Sequence, residues 1–264
     1  MANPLLSLAL VAYTAGVVLS ILATAKRSRA ARTGSTAALV LACALHFGGL
    51  TAYALRAGHV PMTNLQEFLL SLGWLVLAAH LWVQFRWNVD AAGLVLPPLA
   101  MIMTVIAVVT LPEPASQGRL LQKVDILLFH TVLASLGMAA FFVAAAMSLI
   151  YVLQDHALKS KRSLPWLERL PPLDRADRAG LEAMLWGFPL FTLGILTGVG
   201  LSMASYDRPI TLLDPKQVFP LFAWAIFAGV LLARLARGFR GRRAAYLTIV
   251  GFLLGLLTIA GIPS

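Results

Sequence analysis

The sequence contains eight apolar stretches, most about 20 residues long, separated by polar connections, and this pattern constrains the fold more than any other feature. A helix of about 20 residues crosses a hydrocarbon layer of about 30 Å while satisfying its own backbone hydrogen bonds. The predicted spans lie at about residues 4–25, 36–55, 65–85, 91–111, 124–153, 184–204, 217–236 and 244–262. The pattern therefore predicts an all-α polytopic membrane protein with eight transmembrane helices, forming a single integral-membrane domain over residues 1–264.

The composition excludes most other classes of protein. Hydrophobic residues make up 59% of the chain and charged residues only 12%, whereas a soluble protein carries about 25% charged residues. The long continuous apolar runs also exclude an outer-membrane barrel, because barrel strands alternate apolar and polar residues. Cys43 is the single cysteine, so the chain can form no internal disulfide and has no Cys-x-x-Cys-His haem-attachment site.

The basic residues predict the orientation of the helices. The chain has 21 Lys+Arg against 11 Asp+Glu. With the predicted spans, sixteen of these 21 basic residues fall on one side and five on the other. The positive-inside rule then places both termini in the periplasm. We interpret the net charge of +10 as a topology signal and not as a nucleic-acid footprint. The connection at residues 156–183 carries Trp166 among basic residues, so we expect it to lie along lipid headgroups.

Histidines are the candidate functional residues, because no charged residue falls in the middle of a predicted span. His46 lies near the midplane of the second span, where it is either a buried neutral histidine bonded to a hydroxyl or carbonyl group, or a residue for iron ligation or gating. His130 lies early in a fifth span of about 45 Å, which exceeds the bilayer core. If part of the excess is outside, His130 lies at the outer interface, where it has either a packing role or a functional one. His59 lies in an outer loop. We expect His80 and His156 to be structural or solvated.

The loop around His59 contains a recognisable helix start. Asn64 followed three residues later by Glu67 predicts a capping box that opens the third span. The cap accounts for Asn64 and Glu67, but it leaves the preceding Gly58-His59-x-Pro61 without an explanation.

Five segments, in chain order, carry a family resemblance. The first reads Gly-His-x-Pro-x-Thr-Asn-x-x-Glu at Gly58–Glu67 and is followed by Trp74. The second holds His130 in a Leu-Leu-x-His setting. The other three are Gly187–Gly198, Asp214–Lys216 and Trp224–Ala228. Together they resemble the CcsA-type cytochrome c assembly proteins of the CcsA/CcmC superfamily, which handle haem at the outer side of the membrane.

The chain also departs from that family's pattern. The resemblance implies a tryptophan-rich haem platform between Gly200 and Asp214, but this segment contains no tryptophan. The resemblance also implies a membrane histidine, which is replaced near Leu232, and a second outer histidine after the last span, where the sequence up to Ser264 has none. With a histidine in the second span, these departures are similar to the HemX/YpjD-like branch, whose members are tied to tetrapyrrole synthesis. The resemblance therefore implies no haem-lyase activity for this chain by itself, and we expect it not to be an enzyme.

The resemblance assigns roles to six residues. His130 is the first candidate axial ligand of a bound haem b, and His59 or His46 is the second, with His130 and His59 as the metal ligands. Porphyrin also needs cations near its propionates. The candidates for that role are Arg119, Lys123 and Arg208, each of which could equally be an ordinary outer-surface charge.

The resemblance also implies a function and partners. We expect a haem-binding or haem-handling protein of the bacterial inner membrane, related to cytochrome c biogenesis. Its expected partners are membrane lipid, haem and other membrane proteins of cytochrome c assembly or tetrapyrrole metabolism. The alternative is a non-catalytic accessory or scaffold protein that no longer binds haem. A carrier for a small organic solute is a third hypothesis.

Overall fold

The computed structural model describes residues 3–26, 28–110, 126–160, 172–204 and 215–259, and all regular structure in those ranges is helical. The first four α-helices are α1 (Pro4–Lys26), α2 (Arg29–Ala57), α3 (Leu65–Trp87) and α4 (Leu96–Thr110), with a short 3-10 helix at Asp90–Leu94. The other four are α5 (Ile126–Ser160), α6 (Leu173–Ala204), α7 (Pro215–Arg237) and α8 (Arg242–Leu257). The all-α prediction is confirmed for the described residues.

Within the described residues, seven helical segments are long and apolar enough to cross a membrane, so the chain is a multi-pass membrane protein. One of them joins the 3-10 helix to α4, as Asp90–Thr110. The helix α8 has 16 residues, fewer than the roughly 20 that a bilayer core requires. Large apolar side chains such as Val109, Phe85 and Val11 are exposed, as expected on helix faces that contact lipid tails. The described residues thus contain eight α-helices, and the prediction that eight helices cross the membrane stays a prediction.

The helices group into two compact units, α1–α4 and α5–α8. In the first unit, α1 and α2 pack closely because glycines let their backbones approach. A Cβ atom on Gly16 would lie 2.6 Å from the Leu39 side chain, and one on Gly49 would lie 2.5 Å from that of Leu6. The Ser35 hydroxyl donates to the Gly16 carbonyl across the same interface at 2.9 Å.

In the second unit, α5 and α6 are antiparallel and pack along a row of glycines on α6. Gly180, Gly187 and Gly194 are seven residues apart and all face α5. A Cβ on Gly187 would lie 2.7 Å from the Cβ of Ala140, and one on Gly194 would lie 3.1 Å from the backbone of Ala134. Small residues at a helix interface allow this approach. We call these three residues the glycine row.

The length predicted for the fifth span is confirmed. The helix α5 has 35 residues, so it is about 52 Å long at about 1.5 Å per residue and exceeds a hydrocarbon core of about 30 Å. His130 is the fifth residue of this helix and lies near its end. The helix α6 begins at Leu173 and not near the predicted 184, because the amphipathic segment before the apolar stretch is helical too.

A buried ion pair joins α6 to α7. The Arg234 guanidinium donates to the Asp177 carboxylate at 2.5 Å and to the Asp177 carbonyl at 3.3 Å. The two side chains are only 5% and 14% exposed. A second ion pair lies next to it on α6, between Asp174, about one turn before Asp177, and Arg178, the residue after Asp177. The side chains of Arg178 and Asp174 are 63% and 61% exposed. The chain therefore contains a buried and a solvated ion pair on one short stretch of α6.

Candidate functional site

The imidazole of His130 is half-buried between α5 and α6 and is held by the α6 backbone. Its Nδ1 lies 2.6 Å from the Gly194 carbonyl oxygen. Because a carbonyl only accepts, Nδ1 must carry the hydrogen, and a neutral ring then has its lone pair on Nε2. Among the described residues of the second unit, no hydrogen bond reaches Nε2.

Two neighbours on α6 complete the surroundings of this ring. The Thr197 hydroxyl donates to the carbonyls of Leu193 and Gly194 at 2.8 and 2.9 Å, and its oxygen lies 3.4 Å from the Nδ1 of His130. Gly198 leaves the space that the imidazole fills, since a Cβ there would lie 2.7 Å from the ring's Cε1. The arrangement is the one found around metal-binding histidines, in which a carbonyl group accepts from the nitrogen that does not bind the metal.

His46 lies at the centre of the first unit and exposes none of its surface. Its Nδ1 is 3.1 Å from the Tyr13 hydroxyl, and the two rings meet edge to face. Its Nε2 has no hydrogen-bond partner among the described residues. His46 is therefore buried and hydrogen-bonded, but to a tyrosine and not to the predicted serine, threonine or backbone carbonyl, and its role in iron ligation or gating stays a prediction. Iron ligation by His46 would require helices of this unit to separate.

The loop that carries His59 is fixed at both ends by helix caps. Gly58 ends α2 in the left-handed conformation at φ 75°, which explains the glycine, and its N–H donates to the Ala54 carbonyl. Asn64 opens α3 by accepting from the Glu67 N–H at 2.9 Å, as predicted. The Glu67 carboxylate accepts from the N–H and hydroxyl of Thr63, one residue before the position that a capping box predicts.

His59 itself is exposed and oriented by its own loop. Its Nδ1 lies 3.0 Å from the Val60 carbonyl, and its Nε2 lies 3.7 Å from the Glu67 carboxylate. Glu67 is 2% exposed and also accepts a hydrogen bond from the Tyr53 hydroxyl at 2.9 Å. Because Nε2 faces this carboxylate, it would have to turn away from Glu67 to bind a metal ion.

His80 is buried in the first unit. It is 2% exposed, which agrees with the structural alternative expected from the sequence. Its Nδ1 has no hydrogen-bond partner among the described residues, and the ring lines a cavity of about 20 Å³, beside Gln84 and the ion pair between Arg32 and Asp90. A volume of that size holds a water molecule and excludes a porphyrin.

The predicted site residues are distributed over both units. His46 and His59 belong to the α1–α4 unit and His130 to the α5–α8 unit. The second axial ligand of the haem iron, beside His130, therefore stays a prediction. Arg119, Lys123 and Arg208 lie outside the described residues, and their role near a propionate also stays a prediction. The sequence analysis did not predict that the hydroxyl groups of Tyr13, Tyr53 and Thr197 contact His46, Glu67 and His130. The available signal was the presence of hydroxyl groups in otherwise apolar helices.

Comparison with known proteins gives the family. Residues 62–264 match the sequence model described as "Cytochrome C assembly protein". The chain belongs to this family. The recognition of the CcsA/CcmC superfamily is therefore confirmed. Assignment to the HemX/YpjD-like branch stays a prediction.

Two relatives of this chain are named cytochrome c biogenesis protein CcsA. The one from Guillardia theta is 25% identical over 247 residues, covering 87% of this chain and 81% of the relative. The one from Thermosynechococcus vestitus is 28% identical over 243 residues, covering 78% and 76%. The solved structure of the cytochrome c heme lyase CcmF has the same fold, with a TM-score of 0.68 and 20% identity. The match covers 98% of this chain and 46% of the lyase, so the chain spans about half of that protein's length.

Proposed function

We propose that this membrane protein binds haem b at the outer side of the bacterial inner membrane and handles it in cytochrome c biogenesis. The observation that carries the proposal is the 2.6 Å hydrogen bond from His130 to the Gly194 carbonyl, which leaves Nε2 as a lone-pair donor on a half-buried ring. Nε2 of a neutral imidazole is a common axial ligand of haem iron. The whole chain, residues 1–264, acts as one integral-membrane domain.

His59 is the better second ligand. It lies on an exposed loop, whereas His46 is fully enclosed by its unit and bonded to Tyr13. Arg119, Lys123 and Arg208 are proposed partners of the propionates. Haem bound there is cargo, and this chain's residues supply its binding and orientation.

Titration with haemin tests the proposal. The purified wild-type protein in detergent is expected to take up about one equivalent of haemin and to show a Soret band shifted from that of free haemin, because an axial nitrogen changes the ligand field of the iron. Absorption spectroscopy measures this directly. A preparation that stays colourless and binds no added haemin would overturn the proposal.

That negative result would favour the second candidate function, an accessory or scaffold protein that kept the fold and lost haem. The specific observation in its favour is the lack of tryptophan in residues 200–214. Co-purification of proteins of cytochrome c assembly or tetrapyrrole metabolism with a haem-free preparation is the expected result in that case.

The same segment predicts that the protein does not ligate haem by itself. Aromatic faces provide flat contacts for a porphyrin, and residues 200–214 provide no tryptophan for them. Expression in cells without their own assembly system is expected to give no holocytochrome by haem-stained electrophoresis. Covalently attached haem in such cells would contradict this prediction.

The distribution of basic residues predicts eight crossings with both termini in the periplasm. The sixteen-to-five excess places residues 26–32 and 159–178 in the cytoplasm. A reporter that is active only in the cytoplasm is expected to stay silent when fused after Ser264, and an identical fusion within residues 159–178 should be active. An active C-terminal fusion would contradict the periplasmic C-terminus and, with the N-terminus in the periplasm, would mean an odd number of crossings.

A further inference from the structure

We propose that Thr197 and Gly198 on α6 are positioning residues for His130. The Thr197 hydroxyl oxygen adds a second acceptor beside the Gly194 carbonyl and so helps to keep the hydrogen on Nδ1, and Gly198 fixes the plane of the ring. The proposal rests on the haem-binding function proposed above. It concerns how His130 presents Nε2, and its central claim can be measured in protein that contains no haem.

The role of Thr197 follows from the direction of its own hydrogen bond. Its hydroxyl hydrogen is directed to the carbonyls of Leu193 and Gly194, at 2.8 and 2.9 Å. The oxygen that lies 3.4 Å from the Nδ1 of His130 can therefore only accept. Nδ1 thus faces two acceptors, the Gly194 carbonyl and the Thr197 hydroxyl oxygen, and no donor. This arrangement selects the tautomer with hydrogen on Nδ1 and keeps Nε2 free to bind iron.

The role of Gly198 follows from the space that its missing side chain leaves. A Cβ at this position would lie 2.7 Å from the Cε1 of His130, 3.1 Å from its Nδ1 and 3.5 Å from its Nε2. The first of these distances is too short for any real contact, so a side chain at Gly198 would push the ring away from Gly194. The imidazole therefore packs directly on the α6 backbone, and its plane is set by that surface.

The chain offers a matched control on the same helix. Gly200 lies two residues after Gly198, and a Cβ there would have no neighbour within 4 Å among the described residues. Substitutions of Gly198 and Gly200 by alanine change helix propensity in the same way. A difference between the two variants therefore reports on the contact with His130.

The first measurement is ¹⁵N NMR of histidine-labelled, haem-free protein in detergent, with the His130 signals assigned by their loss in His130→Ala. Wild-type protein and Gly200→Ala are expected to show one neutral tautomer with hydrogen on Nδ1. Gly198→Ala is expected to show a mixture of tautomers, because the displaced ring loses the Gly194 carbonyl. A wild-type tautomer pattern in Gly198→Ala, or a wild-type ring with hydrogen on Nε2, would overturn the proposal.

The second measurement is haemin affinity. Loss of the groups that orient a metal-binding histidine costs about 10–100-fold in affinity, so Gly198→Ala is expected to weaken haemin binding by that factor and Gly200→Ala by less than about twofold. Thr197→Val, which removes the hydroxyl group at nearly constant volume, is expected to weaken binding and to shift the Soret band, while Thr197→Ser restores both. If Thr197→Val and Gly198→Ala both bind like Gly200→Ala, the positioning roles are wrong.

The two measurements separate this inference from the function on which it rests. If the wild-type protein takes up no haemin, the proposed function fails, and the same NMR measurement on Gly198→Ala and Thr197→Val still decides whether these residues orient the ring. If the wild-type protein binds haemin through His130 and the variants show no effect, the positioning inference alone fails. Should Gly198→Ala not fold, as judged by its thermal unfolding, Thr197→Val and Thr197→Ser carry the test.

Discussion

His130→Ala is expected to lose haem during purification and to bind added haemin more weakly by on the order of a hundredfold, or about 2.7 kcal/mol. The substitution removes the axial nitrogen and leaves a space of imidazole size beside Gly194 and Gly198. Free imidazole can enter that space and supply the missing nitrogen. Addition of millimolar imidazole is therefore expected to restore part of the Soret band, measured by absorption spectroscopy.

A second histidine on the same helix provides the control. His156 is exposed near the other end of α5, so His156→Ala is expected to retain haem like the wild-type protein. A purely structural role for His130 gives the opposite pattern, in which His130→Ala lowers yield or thermal stability and leaves the Soret band unchanged. That pattern would remove His130 as the axial ligand.

Arg234→Met is expected to destabilise the second unit by about 3–5 kcal/mol, because it leaves the largely buried Asp177 carboxylate without its partner charge. A buried charge is stabilised mainly by its partner charge. Removing one partner therefore lowers the free energy of unfolding by more than the intact pair contributes to it. Thermal or denaturant unfolding of the purified protein in detergent measures the effect. The double variant Arg234→Met/Asp177→Leu is expected to recover most of the lost stability, since no unpaired charge then remains.

The exposed ion pair between Arg178 and Asp174 provides the control for this prediction. Arg178→Ala breaks the pair with Asp174, whose side chains are mostly in solvent, and exposed pairs contribute about 0–1 kcal/mol. We therefore expect Arg178→Ala to unfold almost like the wild-type protein. Equal losses of stability in Arg178→Ala and Arg234→Met would show that burial of the Arg234 pair contributes nothing.

The features that could be predicted from the sequence are those that depend on residues close together in the chain. Runs of apolar residues predict the helices, the spacing of Asn64 and Glu67 predicts the start of α3, and the length of the fifth apolar stretch predicts that His130 lies near a helix end. Each depends on local spacing and on the thickness of a bilayer. The charge bias likewise predicts orientation without any knowledge of tertiary contacts.

The features that could not be predicted depend on partners distant in sequence. Gly194, whose carbonyl orients His130, lies 64 positions along the chain, and a backbone carbonyl carries no sequence signal. Tyr13 and His46 are 33 positions apart, and no sequence pattern in either helix predicts their hydrogen bond. The Glu67 carboxylate binds Thr63 and Tyr53 where a capping box predicts the Asn64 N–H, because buried oxygens take whichever donors packing brings near.

The seven-residue spacing of the glycine row has a mechanical consequence. A straight α-helix drifts by about 20° for every seven residues, so Gly180, Gly187 and Gly194 stay within about 40° of one another around α6 and can all face α5. Sliding of α6 along α5 would move larger side chains into these close contacts, so the glycine row resists it. Gly198, four residues after Gly194, continues the contact as far as His130, so the packing that resists sliding of α6 also holds the imidazole in place.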